Sequence, residues 1–257
     1  MLLRKQKKLI RRCVFSVLII VILVTAGRMF YQWLVYSKAK ITSYPEFGIA
    51  IPENYSIHGI DVSRYQQTIA WEEVKTMQVK AIKLGFSFIK ATEGIGNTDE
   101  QFYHNWKKAK QAGMIRGAYH FFVASKDGKM QAENFIDKVV LQTGDLPPVL
   151  DVEQLNGSTI AGLRKEVKKW LEITEEYYHV KPVIYTNVDF YNRCLGSGFD
   201  EYPLWVAHYY QPQQPRINRG WIFWQHSDEG RVNGIVSKVD FNVFAGDSAE
   251  FRNFLIQ

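Results

Sequence analysis

Cysteine is nearly absent from this chain, with only Cys13 and Cys194 among 257 residues. Cys13 falls in an apolar run and Cys194 stands alone in the remainder, so no disulfide can close within the soluble part. That excludes a small disulfide-held secreted scaffold; an exported domain of this size without bridges fits a bacterial surface. Cys194, beside Gly196-Ser197-Gly198, reads as a packed residue rather than a nucleophile. Glycine-rich phosphate loops are missing as well, since neither a GxGxxG nor a P-loop pattern occurs. The six histidines are scattered, with no HExxH and no paired spacing. That distribution argues against a metal, and no cofactor is expected. There is no internal repeat and no low-complexity tract.

Basic residues outnumber acidic ones, and the formal net charge is +6. Such a charge would suit nucleic acid or a membrane surface, but its distribution excludes the first. Arg4, Lys5, Lys7, Lys8, Arg11 and Arg12 all lie in residues 1–12, which carry no acid, and the rest of the chain is formally neutral. Residues 13–27, CVFSVLIIVILVTAG, contain no charge. A basic start followed by an apolar run is an export signal. Val24-Thr25-Ala26 resembles a cleavage site, whereas Arg28 can snorkel and Tyr31, Trp33 and Tyr36 suit an interfacial belt. The expectation is an uncleaved signal anchor over 13–36, with the basic segment 1–12 in the cytoplasm and everything after residue 36 outside. Residues 37–56, of mixed polarity and no clear period, read as a linker.

Residues 57–257 read as one domain. IHGID (57–61), FSFIKAT (86–92), IRGAYHFF (115–122), PVLDVE (148–153) and PVIYT (182–186) are strand-like, and each precedes a helical pattern, near 70–79, 99–112, 127–140, 159–178 and 188–194. In 159–178 the residues Leu163, Val167, Trp170, Leu171 and Thr174 fall on one helix face. PLWVAHY (203–209), WIFWQHS (221–227) and SKVDFNVF (237–244) are strands joined by polar loops. Alternation of strand and helix argues for parallel βαβ units. Eight strands, five of them followed by helices, predict a barrel with an incomplete helical ring.

Barrel chemistry sits at the C-terminal strand ends. Those ends carry Asp61, Glu93, His120, Asp151 with Glu153, Tyr185 with Asn187, Trp205 with His208, Trp224 with Gln225, and Asp240. Acids ringed by aromatics are a sugar-binding composition, because rings stack on pyranose faces and carboxylates take hydroxyls. In LDVE, alternation places Asp151 and Glu153 on one face of a strand, roughly 6–7 Å apart by two strand rises. Glycoside hydrolysis needs one protonated acid and one carboxylate, and crowding raises the pKa of one of the two. Glu153, further out, suits the proton donor and Asp151 the inner stabiliser. A strand end whose acids merely cap the next loop has the same DxE spelling, and the pattern alone leaves both readings open. His120 and His208 read as hydrogen-bonded supports, and Lys83, Lys90 and the charges of 164–169 as solvated faces or stems.

Seven segments then resemble one family in order and spacing: HGIDVSRYQ (58–66), FIKATEG (88–94), GAYHFF (117–122), LDVE (150–153), WVAHY (205–209), WQHS (224–227) and VDFNVF (239–244). They look like glycoside hydrolase family 25, the lysozyme-type muramidases. The resemblance implies an α/β fold, a modified TIM-like β/α barrel of five βα units plus three further strands, here behind an N-terminal transmembrane helix. It implies cleavage of the β-1,4 bond between N-acetylmuramic acid and N-acetylglucosamine in peptidoglycan. Carried over by motif, Glu153 is the catalytic acid, Asp151 the stabiliser or nucleophile, and Asp61 the first-strand aspartate of the site. Glu93, Tyr119, Tyr185, Trp205, Trp224, Asp240 and Asn233 are expected at the substrate. Asn233 departs from relatives that have aspartate there, which removes a charge and would alter activity or its pH optimum. The expected partners are glycan strands and, through the N-terminal helix, a membrane; a monomer is expected. No wall-binding repeat follows the barrel, so localisation is expected to fall to the anchor. A glycosidase for another N-acetylglucosamine polymer such as chitin, or an inactive wall-binding protein, are the competing expectations.

Overall fold

A computed structural model describes residues 4–38 and 41–257, the side chains of 4, 5, 8 and 31–38 excepted. It divides into two compact units, residues 1–40 and 41–257. The first is a helix from Arg4 to Lys38. Its stretch Leu9–Phe30 is 22 residues long and apolar, long enough to cross a bilayer at about 1.5 Å per residue. The basic segment does not stand apart from this helix. Lys, Arg, Gln and Leu are good helix formers, and nothing between Arg4 and Leu9 breaks the pattern. Tyr31, Trp33 and Tyr36, expected at an interface, lie outside the described side chains.

The second unit is built on eight strands: β1 (His58–Val62), β2 (Ile82–Glu93), β3 (Ile115–Phe121), β4 (Val149–Asp151), β5 (Val183–Asn187), β6 (Leu204–Ala207), β7 (Phe223–Gly230) and β8 (Val239–Phe244). Each pairs with the next, and β8 pairs with β1, so the sheet closes into a barrel. Pairing is parallel from β1 through β7, while β8 runs antiparallel to both neighbours. Closure leaves no free edge among these strands.

Helices α1 (Trp71–Thr76), α2 (Phe102–Gln111), α3 (Gly128–Lys138) and α4 (Ile160–Tyr178) follow the first four strands, helical turns over 188–195 follow β5, and α5 (Ser248–Phe254) ends the chain. Side-chain caps mark the starts of α3, α4 and α5. Asp127 accepts from the Met130 N–H before α3, and Thr159 from the Gly162 N–H before α4. The α4 stripe Leu163, Val167, Trp170, Leu171 and Thr174 is buried.

Strand alternation sorts side chains between two cores. Ile60, Val62, Ile89, Leu150, Val152, Ile184 and Val206 face outward into the layer beneath the helices. Phe86, Phe88, Val149, Val183, Tyr185, Trp205 and Phe223 fill the barrel interior. Phe88 stacks on Trp205 with ring centroids 4.3 Å apart. Fully burying one Phe contributes roughly 1.5–3 kcal/mol, so these rings are a main source of barrel stability. Two glycines make room for them. A Cβ on Gly59 would lie 2.5 Å from the Phe86 ring, and one on Gly117 would lie 2.6 Å from Phe88.

The segment 37–56 is not simply a linker. Ile41–Tyr44 and Ile49–Pro52 form an antiparallel hairpin that belongs to the barrel unit. Phe47 and Ile51 are fully buried; the Phe47 ring lies 5.3 Å from that of Phe241, and its carbonyl accepts from the Arg231 N–H at 2.8 Å. The tight turn at 45–48, closed by Gly48 at φ +67°, interrupts the apolar alternation and hides it from a period search.

Because the Phe86 ring occupies the space beside Gly59, Gly59→Ala is expected to destabilise the barrel by about 1–3 kcal/mol. Gly96→Ala, at an exposed position with nothing within 4 Å of the added carbon, should leave stability nearly unchanged. Denaturant unfolding of the two variants checks this, and equal midpoints would refute the packing argument.

Candidate active site

Above the aromatic rings, the inward positions turn from apolar to polar within one or two residues. Gly59 gives way to Asp61, Val149 to Asp151, Trp205 to Ala207 and then Tyr209, and Phe223 to Gln225. The result is a cavity at the C-terminal end of the parallel strands, lined by Asp61, Lys90, Tyr119, Phe121, Asp151, Glu153, Tyr185, Trp205, Tyr209, Gln225 and Asp240, with Val62, Ser63, Tyr65 and Gln66 at its rim.

One hydrogen-bond network ties the walls together. Asp61 Oδ1 accepts from Asn242 Nδ2 at 2.7 Å and from Gln225 Nε2 at 2.9 Å. Asn242 Oδ1 in turn accepts from Trp205 Nε1 at 2.7 Å. The Tyr185 and Tyr209 hydroxyls both donate to Gln225 Oε1, at 2.8 and 2.6 Å. The acids therefore sit among fixed donors rather than in bulk water. Asp240 lies directly across the ladder from Asp61, and their carboxyls share a hydrogen bond. Asp151 and Glu153 form a second carboxyl pair in hydrogen-bonding contact. Asp151 Oδ1 is buried with no donor among the described residues.

Burial of four acids in one mouth has electrostatic consequences. Asp61 is raised to about 6, chiefly by burial, against the opposing pull of the Asn242 and Gln225 amides. Asp240 is raised to about 9, by burial first and then by the charge of Asp61. Asp151 is held well above the carboxylate range by burial, then by the charge and hydrogen bond of Glu153. Glu153 is also raised by burial, while the Asp151 hydrogen bond and the Lys90 charge oppose the shift. Asp240 thus keeps a proton at neutral pH, and the upward shifts of Asp151 and Glu153 favour retention of a proton in that pair, where Glu153 is the less buried member.

Of the residues singled out in the sequence, Asp61, Tyr119, Asp151, Glu153, Tyr185, Trp205 and Asp240 come together at this cavity. Glu93, Trp224 and Asn233 do not line it. Glu93 binds Lys90 Nζ at 2.6 Å. Trp224 points out of the barrel, where its Nε1 donates to the His208 carbonyl and its ring packs against Tyr55 and Trp221. Asn233 is exposed in the β7–β8 turn. Tyr209, Asn242 and Lys90 belong to the site and were not among the expected site residues, and Gln225, which also belongs to it, was noted only as a strand-end neighbour of Trp224. Alternation carried the signal for two of them. Only one of Trp224 and Gln225 can face inward, and Asn242 shares the face of Asp240. His120 is buried on the outer side, between Thr92 Oγ1 at 2.7 Å and Gln131.

No group of three or more potential metal-ligating side chains occurs among the described residues. The chemistry open to this mouth is proton transfer and charge stabilisation by carboxyls.

Comparison with known proteins agrees with this geometry. The profile of glycosyl hydrolases family 25 matches residues 60–235. An Escherichia coli O6:H1 protein named "Uncharacterized protein YegX" is 44% identical over 88% of this chain and 85% of its own. "Lysozyme M1" of Streptomyces globisporus is 36% identical over 75% of this chain and 69% of its own. The solved structure of a family 25 glycosyl hydrolase from Bacillus anthracis superposes with a TM-score of 0.74 at 32% identity, covering 84% of this chain and all of that one.

The buried charges predict a stability maximum in the weakly acid to neutral range. With folded values above the unfolded 3.8, Asp61 and Asp240 contribute stability that is complete below the unfolded value. It is lost as pH rises, through about 6 for Asp61 and about 9 for Asp240. Buried His58, His120 and His226 are lowered by burial to about 4, 3 and 3, so their contribution is complete above 6.5 and lost as pH falls. The thermal midpoint should therefore fall between pH 7 and pH 9, and Asp240→Asn should flatten that fall. An unchanged slope in the variant would contradict the assignment.

Proposed function

The chain belongs to glycosyl hydrolase family 25, and we propose that it is a peptidoglycan muramidase, hydrolysing the β-1,4 bond from N-acetylmuramic acid to N-acetylglucosamine. The observation that carries this reading is the Asp151–Glu153 carboxyl pair at the barrel mouth, Asp151 buried and Glu153 half-buried, in contact with each other beside a ring of hydrogen-bonded aromatics.

The sugar on the non-reducing side of the bond enters the cavity whose floor is formed by Trp205 and Tyr185, and its acetamido N–H donates to Asp151, whose Oδ1 otherwise lacks a donor. That new bond favours ionised Asp151 and moves the pair's proton onto Glu153. Glu153 then protonates the glycosidic oxygen as the bond to the anomeric carbon breaks. The acetamido oxygen closes on that carbon, and Asp151 stabilises the positive charge that develops. Glu153, now a carboxylate, takes a proton from water as the water oxygen attacks and reopens the ring. Two displacements at one carbon retain its configuration, and Glu153 ends protonated for the next cycle. Asp61, clamped by two amides, adds a negative charge that favours the cationic transition state. Asp151 attacking the anomeric carbon directly is the competing route; its depth in the barrel and its bond to Glu153 favour the guiding role.

The apolar helix Leu9–Phe30 serves in this reading as a signal anchor that holds the enzyme at the outer face of a cell membrane, next to its polymer. A single chain suffices, because every group of the mouth comes from one barrel.

Glu153→Gln keeps the shape of the side chain and removes its proton. The full-length variant should fold as the parent does and lose at least about 100-fold in peptidoglycan digestion, the lower range for a general acid. Digestion at the parental rate would remove Glu153 from the mechanism. Equal digestion of chitin and peptidoglycan by the parent would overturn the substrate assignment.

A further inference from the structure

Lys90 is the one Lys, Arg or His among the described residues lining the mouth, and its pairing with Glu93 depends on a defect in β2. Phe86, Phe88 and Lys90 face inward by alternation. Three residues further on, Glu93 would face outward in a regular strand. The register against β3 slips between Lys90 and Thr92, so that Ala91 is an extra residue, a β-bulge. After the bulge the faces exchange. Thr92 turns outward to bond His120, and Glu93 comes to the side of Lys90. Nζ of Lys90 lies 2.6 Å from Glu93 Oε2 and 4.7 Å above the Phe121 ring, with only 15% of its side chain exposed. An ammonium with two partners and so little exposure is held in one place.

We propose that Lys90 is a positioning residue of the mouth, its ammonium held by Glu93, which the bulge brings to its side, and that it sets the charge state in which Asp151 and Glu153 act. The inference rests on the glycosidase reading of that carboxyl pair. The groups facing the pair from other strands are Asp61 from β1, Tyr119 from β3, Tyr185 from β5, Tyr209 beyond β6 and Asp240 from β8. All are acids or phenols, and behind β3 His120 is buried and neutral. Among the charged groups lining the mouth, Lys90 is the one of positive sign, and its charge opposes proton retention on both Asp151 and Glu153. Glu93 attenuates that charge. The two residues therefore push the ionisation of the pair in opposite directions, which a packing role for either would not do.

The test is the pH profile of peptidoglycan digestion by the full-length protein and three variants. Lys90→Gln should move both limbs upward by roughly one pH unit, the lower end of what a neighbouring opposite charge contributes. Glu93→Gln should move them downward by less, and Lys90→Arg should keep the parental profile. Limbs that stay in place in Lys90→Gln, or shifts of one sign in both Gln variants, overturn the proposal. Infrared difference titration of the protonated carboxyls reads the same shifts without substrate. Absence of parental digestion would defeat the muramidase reading alone, and the titration would still decide the role of Lys90.

Discussion

A carboxyl group removed from water must receive hydrogen bonds or keep a proton, and the mouth of this barrel uses both solutions. Asp61 is fed by two side-chain amides, which hold it far nearer the ionised form than its neighbour Asp240. Asp151 has no such donor on Oδ1, and burial together with the neighbouring Glu153 favours its protonated form instead. The rest of the site depends on this division. Asn242 and Gln225 can aim at Asp61 because Trp205, Tyr185 and Tyr209 fix the far ends of the two amides. A fold built for stability alone would not set four acids against one another at the end of a packed core.

What lets the barrel support such a mouth is the layer below it. Phe86, Phe88, Trp205 and Phe223 close the interior, and Gly59 and Gly117 yield space to the first two rings. The glycine two positions before Asp61 thus serves the ring packing, and the acid itself serves the chemistry. The same strand bears both duties because inward positions recur every second residue. The bulge in β2 is the exception that brings Lys90 and Glu93 to one side, and it lies at the rim, where strand irregularities re-aim side chains.

Much of this was legible in the sequence. The eight strand segments, the buried stripe of α4 and the same-face placement of Asp151 and Glu153 follow from periodicity, and the order of seven short motifs pointed to the family. Three features were not legible, each for a physical reason. The hairpin at 41–52 buries Phe47 and Ile51, but its tight turn breaks the alternation that would have announced it. Trp224 drew attention as a large aromatic at a strand end, whereas the inward neighbour is Gln225, whose value lies in its partners Asp61, Tyr185 and Tyr209. Lys90 reads as an ordinary solvated lysine because the bulge that pairs it with Glu93 is a property of register, which only the folded sheet shows.

Taken together, the contact between Asp151 and Glu153, the aromatic walls and the family of the chain support the proposed reading of an enzyme that adds water across one kind of bond in peptidoglycan. Mass spectrometry of the fragments released from purified peptidoglycan by the full-length protein tests that most directly. The account predicts fragments that have gained one water and end in reducing N-acetylmuramic acid. Reducing N-acetylglucosamine ends, or muramic ends formed without the added water, would contradict it.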